Sequence, residues 1–541
     1  MSSSATLMPI LSMRLVIPGL LIASTLGVAA RAADRSSETL DPRRAARART
    51  EGGIPHEQQV LIKRPDRRRP EDPFQVPLFG RPLTLGGRLS FETRFEAERL
   101  ERFDYLDLDE DDIDGDADFA EPEDAAEGRV PTTDRLELDE TLELYVFYPF
   151  GEESSIYLET KLGRFDRQVD PGKDDGDWRV ERSETWLYFG RMFGSPFGLQ
   201  VGRQRFSDER EWWWDEDLDA VRLRADFERF HAEVAVAQEL IPVDLRRYER
   251  DREEEDLLRV LGSTTWAWAD DHQIGINALY QHDHSSRQTV FVPTGDPPPP
   301  PPTVSLEDES DADLTWLGLH GSGELGLGRV GKAHYWLNGA LVWGKEVFTD
   351  YSGPSGMRTV VAVNRNDVRG YGGDAGLTLE LDLPLRPYLS GSFAYGSGRS
   401  GMTDATDRGF RQTGLQDDND TFRGVASLRY YGELFDPELS NLRLWSVGVG
   451  VRFLRESSLD LVFHDYAQVH RAEFLRDTGF RRRPNGLDRE VGQELDLILG
   501  IEEWRAFEIK LVGGVFRAGE AFAPDDGEFA YLAELRLRLN F

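Results

Sequence analysis

The way this chain ends restricts its fold more than anything else in it. In Tyr531-Leu-Ala-Glu-Leu-Arg-Leu-Arg-Leu-Asn-Phe541, residues Tyr531, Ala533, Leu535, Leu537, Leu539 and Phe541 share one parity, while Glu534, Arg536, Arg538 and Asn540 share the other. Side chains of a strand point alternately to opposite faces, so this period makes a strand with one apolar and one wet face. The same alternation runs through 83–95, where Leu83, Leu85, Leu89, Phe91 and Phe95 alternate with Thr84, Gly86, Arg88, Ser90, Glu92 and Arg94. It returns in Val221-Arg-Leu-Arg-Ala-Asp-Phe227 and in Leu495-Asp-Leu-Ile-Leu499.

Nineteen runs qualify as strands: 83–97, 134–148, 155–165, 180–190, 197–206, 217–228, 231–240, 261–270, 273–283, 313–324, 332–345, 368–383, 386–398, 421–431, 441–454, 457–470, 490–502, 505–518 and 528–541. Tight connections such as Ala269-Asp-Asp-His272, Leu383-Pro-Leu-Arg-Pro387 and Ile501-Glu-Glu-Trp504 alternate with long polar ones. Outer-membrane barrels have this rhythm, with short periplasmic turns and long outer loops. A barrel with both termini on one side needs an even number of strands, so at least one run is misassigned. The fold expected is all-β: a transmembrane outer-membrane β-barrel of about 18 antiparallel strands.

The competing architecture is a large soluble all-β protein. Against it stands the N-terminus, where Arg14 precedes an apolar run over 15–29 and then Ala30-Arg31-Ala32. Residues 1–32 therefore read as a secretory signal peptide, the run being shorter than the ~20 residues a membrane-spanning helix needs. Polarity also opposes it: 30% of residues are charged, which a wet lumen accommodates while each strand buries one face. The third argument is the aromatic C-terminus, which resembles the assembly signal of outer-membrane proteins. Residues 33–80, rich in Arg and Pro, form an N-terminal segment ahead of a barrel domain over 81–541. Tyr148, Trp186, Trp343 and Trp504, near strand ends, are candidates for the interface girdles.

Lys and Arg number 64 against 99 Asp and Glu, a formal charge of −35, and there is no Cys. That excludes a thiol nucleophile and Cys-held metals, and it argues against a nucleic-acid partner. Thirteen of the acids lie between Asp104 and Glu127.

Four stretches resemble the alginate export family of outer-membrane porins. They are Val201-Gly-Arg-Gln-Arg-Phe206 with Glu211-Trp-Trp-Trp-Asp215, Phe410-Arg-Gln-Thr-Gly-Leu-Gln416, Tyr430-Tyr-Gly-Glu-Leu-Phe-Asp-Pro-Glu-Leu-Ser-Asn-Leu442, and Ser458-Leu-Asp-Leu-Val-Phe-His-Asp-Tyr466. The resemblance implies an eighteen-stranded barrel, monomeric, with an arginine-rich constriction that passes a polyuronate outward and is partly occluded by loops. The acidic run and the proline run 297–302 depart from the family pattern, and leave open alginate or another anionic exopolysaccharide.

The partners expected are that polysaccharide, outer-membrane lipid and periplasmic polymer-synthesis or export proteins. Arginine suits such a path because its fork stays charged and binds carboxylates bidentately. By strand parity the inward arginines are Arg88, Arg94, Arg182, Arg222, Arg224, Arg423, Arg429, Arg452, Arg536 and Arg538. The family motif adds Arg203 and Arg205, whose parity matches Leu199 and Val201, so a bulge must intervene or one assignment fails. Glu92, Glu184, Asp226, Asp460, Glu494, Asp496 and Glu534 share the inward parity, so about half of these arginines are expected to be structural partners. Glu110, Asp112, Asp114, Gly115, Asp118 and Glu121 match calcium-loop spacing. Flanking helices are lacking, and a solvated acidic loop is the simpler reading. Trp212–Trp214 suits a girdle, loop packing or sugar stacking. His464 points inward with no catalytic grouping around it, so no enzyme activity and no resident cofactor are expected. The alternatives are an uptake porin for small anions or oligouronates and, less favoured, a barrel hydrolase.

Overall fold

The computed structural model describes residues 74–98, 134–170, 175–246, 257–283, 310–352, 359–399, 406–479, 482–504 and 506–541. The chain runs β1 (Phe74–Leu78), β2 (Arg81–Glu98), β3 (Asp134–Tyr148), β4 (Ser154–Asp170), β5 (Asp175–Phe189), β6 (Phe197–Ser207), β7 (Asp215–Asp226) and β8 (Phe230–Ala237). It continues with β9 (Leu257–Ala269), β10 (His272–Asp283), β11 (Ser310–Gly326), β12 (Gly331–Ser352), β13 (Thr359–Leu381) and β14 (Tyr388–Gly396). Three two-residue pieces follow: β15 (Thr406–Asp407), β16 (Asn419–Asp420) and β17 (Leu428–Arg429). Last come β18 (Leu442–Phe453), β19 (Ser457–Gln468), β20 (Glu490–Trp504), β21 (Phe507–Ala518) and β22 (Phe529–Asn540).

Strands β2 to β14 pair in sequence order, β14 pairs directly with β18, and β18 to β22 continue in order. β22 closes on β2, with Arg88 opposite Asn540. The result is a closed antiparallel barrel of 18 strands, so no wall edge is left to aggregate. β1 lies outside that count: it folds back on the start of β2, pairing Phe74 with Leu85, so pairing begins inside the segment ahead of Arg81.

The wall is inside out relative to a soluble protein. On β19, Asp460, Val462, His464 and Tyr466 are at most 1% exposed, whereas Leu459, Leu461 and Phe463 are 38–39% exposed. Exposed leucine with buried aspartate is stable only where hydrocarbon covers the outer face. Of the girdle candidates, Trp343 and Trp504 are exposed as expected, but Trp186 is buried on the inner face, stacked on Tyr157 at 5.3 Å. Large inner rings fit because glycine faces them across the ladder. Tyr145 lies opposite Gly86, where an added Cβ would come within 2.4 Å of its hydroxyl.

Two segments leave the wall and fill part of the lumen. β6 pairs with β5 only as far as Arg203, and β7 pairs with β8 only from Ala220. Beyond those residues the β6–β7 hairpin pairs only with itself. Its place is taken by 238–245: the Arg182 N–H donates to Val243 O at 2.9 Å and the Leu245 N–H to Val180 O at 2.7 Å. The departure point is Gly202, with φ 122; a Cβ there would meet Thr185 O at 2.2 Å, a position only glycine tolerates. The second segment is 406–441. The run 421–431, expected as a wall strand, lies within it. Its apolar side chains do alternate, but Phe422, Leu428 and Tyr430 are all buried inside the lumen, each at most 3% exposed, with Phe422 stacked on Trp336 of the β12 wall and Tyr430 against Arg210 of the hairpin.

Candidate functional site

The hairpin tip and the 406–441 segment interlock inside the barrel. Trp212, Trp213 and Trp214 are at most 3% exposed. The Trp212 Nε1–H donates to the Tyr431 hydroxyl at 2.8 Å, and the Tyr430 hydroxyl donates to Arg210 O at 2.6 Å. Asp417 and Asp418 N–H groups both donate to Glu211 O, at 3.1 and 3.2 Å. Of the three roles open to the tryptophans, packing of an inner loop is the one realised. At the centre Arg210 lies between the rings of Trp336 and Tyr430, its guanidinium carbon 4.2 Å from each centroid. It pairs with Asp374 at 3.6 Å and Asp420 at 3.2 Å.

Wall strands β19 and β20 hold this plug by its backbone. Glu494 accepts the N–H groups of Leu434 and Phe435 at 2.8 and 3.0 Å, and the Tyr466 hydroxyl at 3.0 Å. Asp496 accepts the Glu433 N–H at 3.3 Å. These inward acids therefore serve as acceptors for a buried loop, whose N–H groups would otherwise lack partners. His464 is not alone, since Ser446 Oγ lies 2.8 Å from its Nδ1 and Asp496 3.4 Å from its Nε2. None of the three is more than 2% exposed, so the trio is sealed from any polymer and acts as packing.

Plug and wall leave a cavity between them. It measures about 350 Å³ and runs along β2–β5 and β21–β22, bounded on the plug side by Asp417, Asn419, Arg429 and Glu433. Eight cations line it: Arg88, Arg94, Lys161, Arg205, Arg429, Lys510, Arg536 and Arg538. Eight acids face them: Glu92, Glu143, Glu159, Glu184, Asp217, Asp417, Glu433 and Glu534. The wall is thus a lattice of opposite charges with a nominal balance of zero, not a ring of surplus arginine. Arg94 spans Glu96, Glu534 at 3.4 Å and Glu433 O at 3.0 Å. Arg536 pairs with Glu92 and with Glu534 at 3.3 Å. Lys510 lies 3.7 Å from Glu433, and Arg88 3.7 Å from Glu143.

Six of the twelve arginines singled out in the sequence line this cavity, and six do not. Arg222 and Arg224 point inward but are at most 1% exposed. They lie under the hairpin, with Arg222 3.4 Å from the Phe206 ring and both near Glu233. Arg182 clamps Asp219 bidentately at 2.6 and 2.8 Å and closes the wall where the hairpin departs. Arg203, buried, reaches Glu216 at 3.9 Å. Arg423 sits on the plug at φ 103, not on a strand, and pairs with Glu380 at 3.2 Å; Arg452 pairs with Glu456 at 3.5 Å. Arg429 is likewise a plug residue, paired with Asp436. The parity conflict at Arg203 and Arg205 is resolved by the hairpin: above Gly202 both faces are interior, and Arg205 reaches Asp215 and Asp217.

The sequence reading passed over Lys161 and Lys510, although the parity of Tyr157 and Glu508 predicts both. Arg210, in a loop, had no period to reveal it. The calcium-like positions Glu110, Asp112, Asp114, Asp118 and Glu121 lie outside the described residues. Among the described residues, Glu211, Asp215 and Asp417 bring one carboxylate oxygen each within 4.8 Å of the others, with Asp215 already bound by Arg205.

A family model described as Alginate export matches residues 121–531. The alginate production protein AlgE of Pseudomonas aeruginosa PAO1 is 24% identical over 393 residues, covering 69% of this chain and 76% of that protein. The AlgE of Pseudomonas syringae pv. tomato is 24% identical over 384 residues, covering 65% and 73%. Among solved structures, OccK5 (OpdH) of Pseudomonas aeruginosa aligns with 84% of this chain and 98% of its own, at 11% identity and a TM-score of 0.46. That likeness is too distant to bear on function.

Proposed function

This chain belongs to the alginate export family and resides in the bacterial outer membrane, and from that premise we propose that it conducts alginate or a similar polyuronate outward along the charged cavity. The observation that carries this reading is the eccentric cavity between plug and wall, lined by six arginines and two lysines. Six of these cations, Arg88, Arg94, Arg205, Arg429, Lys510 and Arg536, are paired with protein carboxylates. An incoming polymer carboxylate exchanges with such a partner, so the cation is never stripped bare and no deep binding trap forms. Conduction needs sites that hold a substrate and also release it. Inward side chains recur every second residue, about 6.8 Å along a strand, and the eight cavity cations are spread over strands β2, β4, β6, β21 and β22 and the plug, so a polymer carboxylate meets them in succession.

The polymer is delivered by periplasmic synthesis, and the barrel works as a monomer with no cofactor of its own. A deletion strain complemented with this gene tests the reading. Secreted polymer should reappear and yield uronic acids on hydrolysis. Restored growth on oligouronates without secretion would instead establish uptake. Reversal potentials in planar bilayers report the cavity itself: a preference for anions is expected, and a preference for cations would remove the arginine path.

A further inference from the structure

The outer face of the wall carries a second charged site that export does not use. Around most of the barrel the outward side chains are apolar up to an aromatic level, as a girdle requires. On β12, β13, β14 and β18 that level is marked by Trp343, Tyr371, Tyr395 and Trp445. Trp343, Tyr371 and Trp445 are 42–56% exposed, and Tyr371 stacks on Tyr395 at 5.8 Å. Immediately beyond it, toward the long-loop end, stand Lys345 two residues past Trp343, Arg369 two residues before Tyr371, and Arg443 two residues before Trp445. Arg365 follows four residues further along β13, and all four cations are exposed.

The ladder sets them side by side. Arg369 lies opposite Trp343 across β12–β13, Arg365 opposite Val347, and Arg443 opposite Tyr395 across β14–β18. With neighbouring strands about 4.8 Å apart, the cations span an arc of roughly 15 Å. Among the described residues no ion pair engages any of the four. Asp367 is the outward carboxylate described within the arc, and Asp313 on β11 and Asp465 on β19 flank it. Counting Asp367, Asp313 opposite Lys345 and Asp465 opposite Trp445, the described residues still balance at 4 − 3 = +1, in a chain whose formal charge is −35.

We propose that this arc binds the phosphate groups of an outer-leaflet glycolipid, whose acyl chains lie along the apolar wall below. The aromatic rings fix the depth at which acyl chain gives way to headgroup, and the cations stand where sugar-borne phosphates sit. Exposed arginines bind phosphate bidentately, and basic side chains near a membrane surface attract anionic headgroups additively. Three or four acting together would therefore hold one lipid through purification. The inside of the barrel has no part in this binding.

The test uses the full-length protein in nanodiscs of phosphatidylcholine containing a minor fraction of a diphosphorylated or a dephosphorylated glycolipid. Lipid retained after detergent extraction is counted by native mass spectrometry. The wild type should retain the diphosphorylated lipid and not its dephosphorylated counterpart. The triple change Lys345→Glu, Arg369→Glu and Arg443→Glu should reduce retention at least tenfold, whereas Lys332→Glu at the opposite rim should not. Arg369→Lys with Arg443→Lys, which keeps the charge, should retain the lipid and serves if the triple variant does not assemble. Equal retention of both lipids, or unchanged retention in the triple variant, would overturn the proposal.

Discussion

Truncating Arg210 should open the pore without unfolding the wall. The side chain is fully enclosed by the plug and the inner wall, with Trp336 and Tyr430 stacked on it and Asp374 and Asp420 as charged partners. Removing one member of a buried ion pair costs about 3–5 kcal/mol, because the remaining charge is left without its partner. Here the lower figure applies, since Asp374 keeps hydrogen bonds from Trp336 Nε1 and Asn338 Nδ2, both at 3.0 Å. Two desolvated cation–π contacts add roughly 1 kcal/mol each. The sum is about 5 kcal/mol, or roughly three and a half powers of ten in the ratio of docked to released plug. Arg210 belongs to the hairpin tip, while Trp336 and Asp374 belong to the wall, so the loss falls on docking rather than on strand pairing. Single-channel recording of Arg210→Ala should show frequent openings of higher conductance than the wild type, and Arg210→Lys should fall between. The assembled barrel should still shift in heat-modifiability gels. An Arg210→Ala barrel that assembles yet conducts like the wild type would refute Arg210 as the fastening of the plug.

The remaining predictions address the path, the pH response and the wall. Arg536→Gln with Arg538→Gln should lower the anion-to-cation permeability ratio by roughly twofold or more, whereas Arg222→Gln, beneath the hairpin, should leave the ratio alone and lower the unfolding temperature. Reversal potentials and thermal melts separate the two groups. Burial pushes the Asp436 carboxyl up to about 6, against the pull of Arg429. Because the folded value lies above the ordinary 3.8, docking of this loop strengthens as pH falls through about 6, while the Arg429 partner in the cavity loses its counter-charge. Anion preference should therefore rise between pH 7.5 and 5, and Asp436→Asn should abolish that rise; a pH-independent wild type would contradict it. Gly86→Ala forces a Cβ into the Tyr145 ring and should destabilise the barrel by about 1–3 kcal/mol, read as a lower temperature in heat-modifiability gels.

Period two made most of the wall legible, because in a barrel the same alternation serves every strand and every strand is anchored by its neighbours. It failed where the chain leaves the wall. In 421–431, Phe422, Leu428 and Tyr430 alternate as a strand's would, yet all three are buried inside the lumen, Phe422 on the inner wall at Trp336 and Tyr430 on Arg210 of the hairpin. Alternation reports two environments, not which two. Arg203 and Arg205 made the converse error visible, since their parity contradicted their motif and the contradiction marked the residue after Val201 where the hairpin turns inward. Arg222 and Arg224 were assigned correctly to the inner face, but no sequence pattern reveals that a hairpin lies over them. Inner face and conduction path are different surfaces once a plug is present.

That difference also explains how so acidic a chain handles a polyanion. A lumen with surplus arginine would bind a polyuronate at every carboxylate, and a chain held at many sites dissociates slowly. In this barrel Glu92, Glu433 and Glu534 occupy Arg94, Arg536 and Lys510 in the resting state. The polymer must displace them, and they reclaim the cation when it moves on. Attraction is then a difference between two similar ion pairs rather than the whole of one. The electrostatic gain at each rung is small and the release correspondingly fast. On the exchange account we propose, selectivity comes from donors that only an anion can use, and speed from the acids that compete for them. Neutralising those acids should accordingly tighten binding and slow export: Glu92→Gln with Glu534→Gln should increase block of the bilayer current by added oligouronate and reduce secreted polymer. If the double variant binds weakly and exports normally, the exchange account fails and the acids are only structural partners.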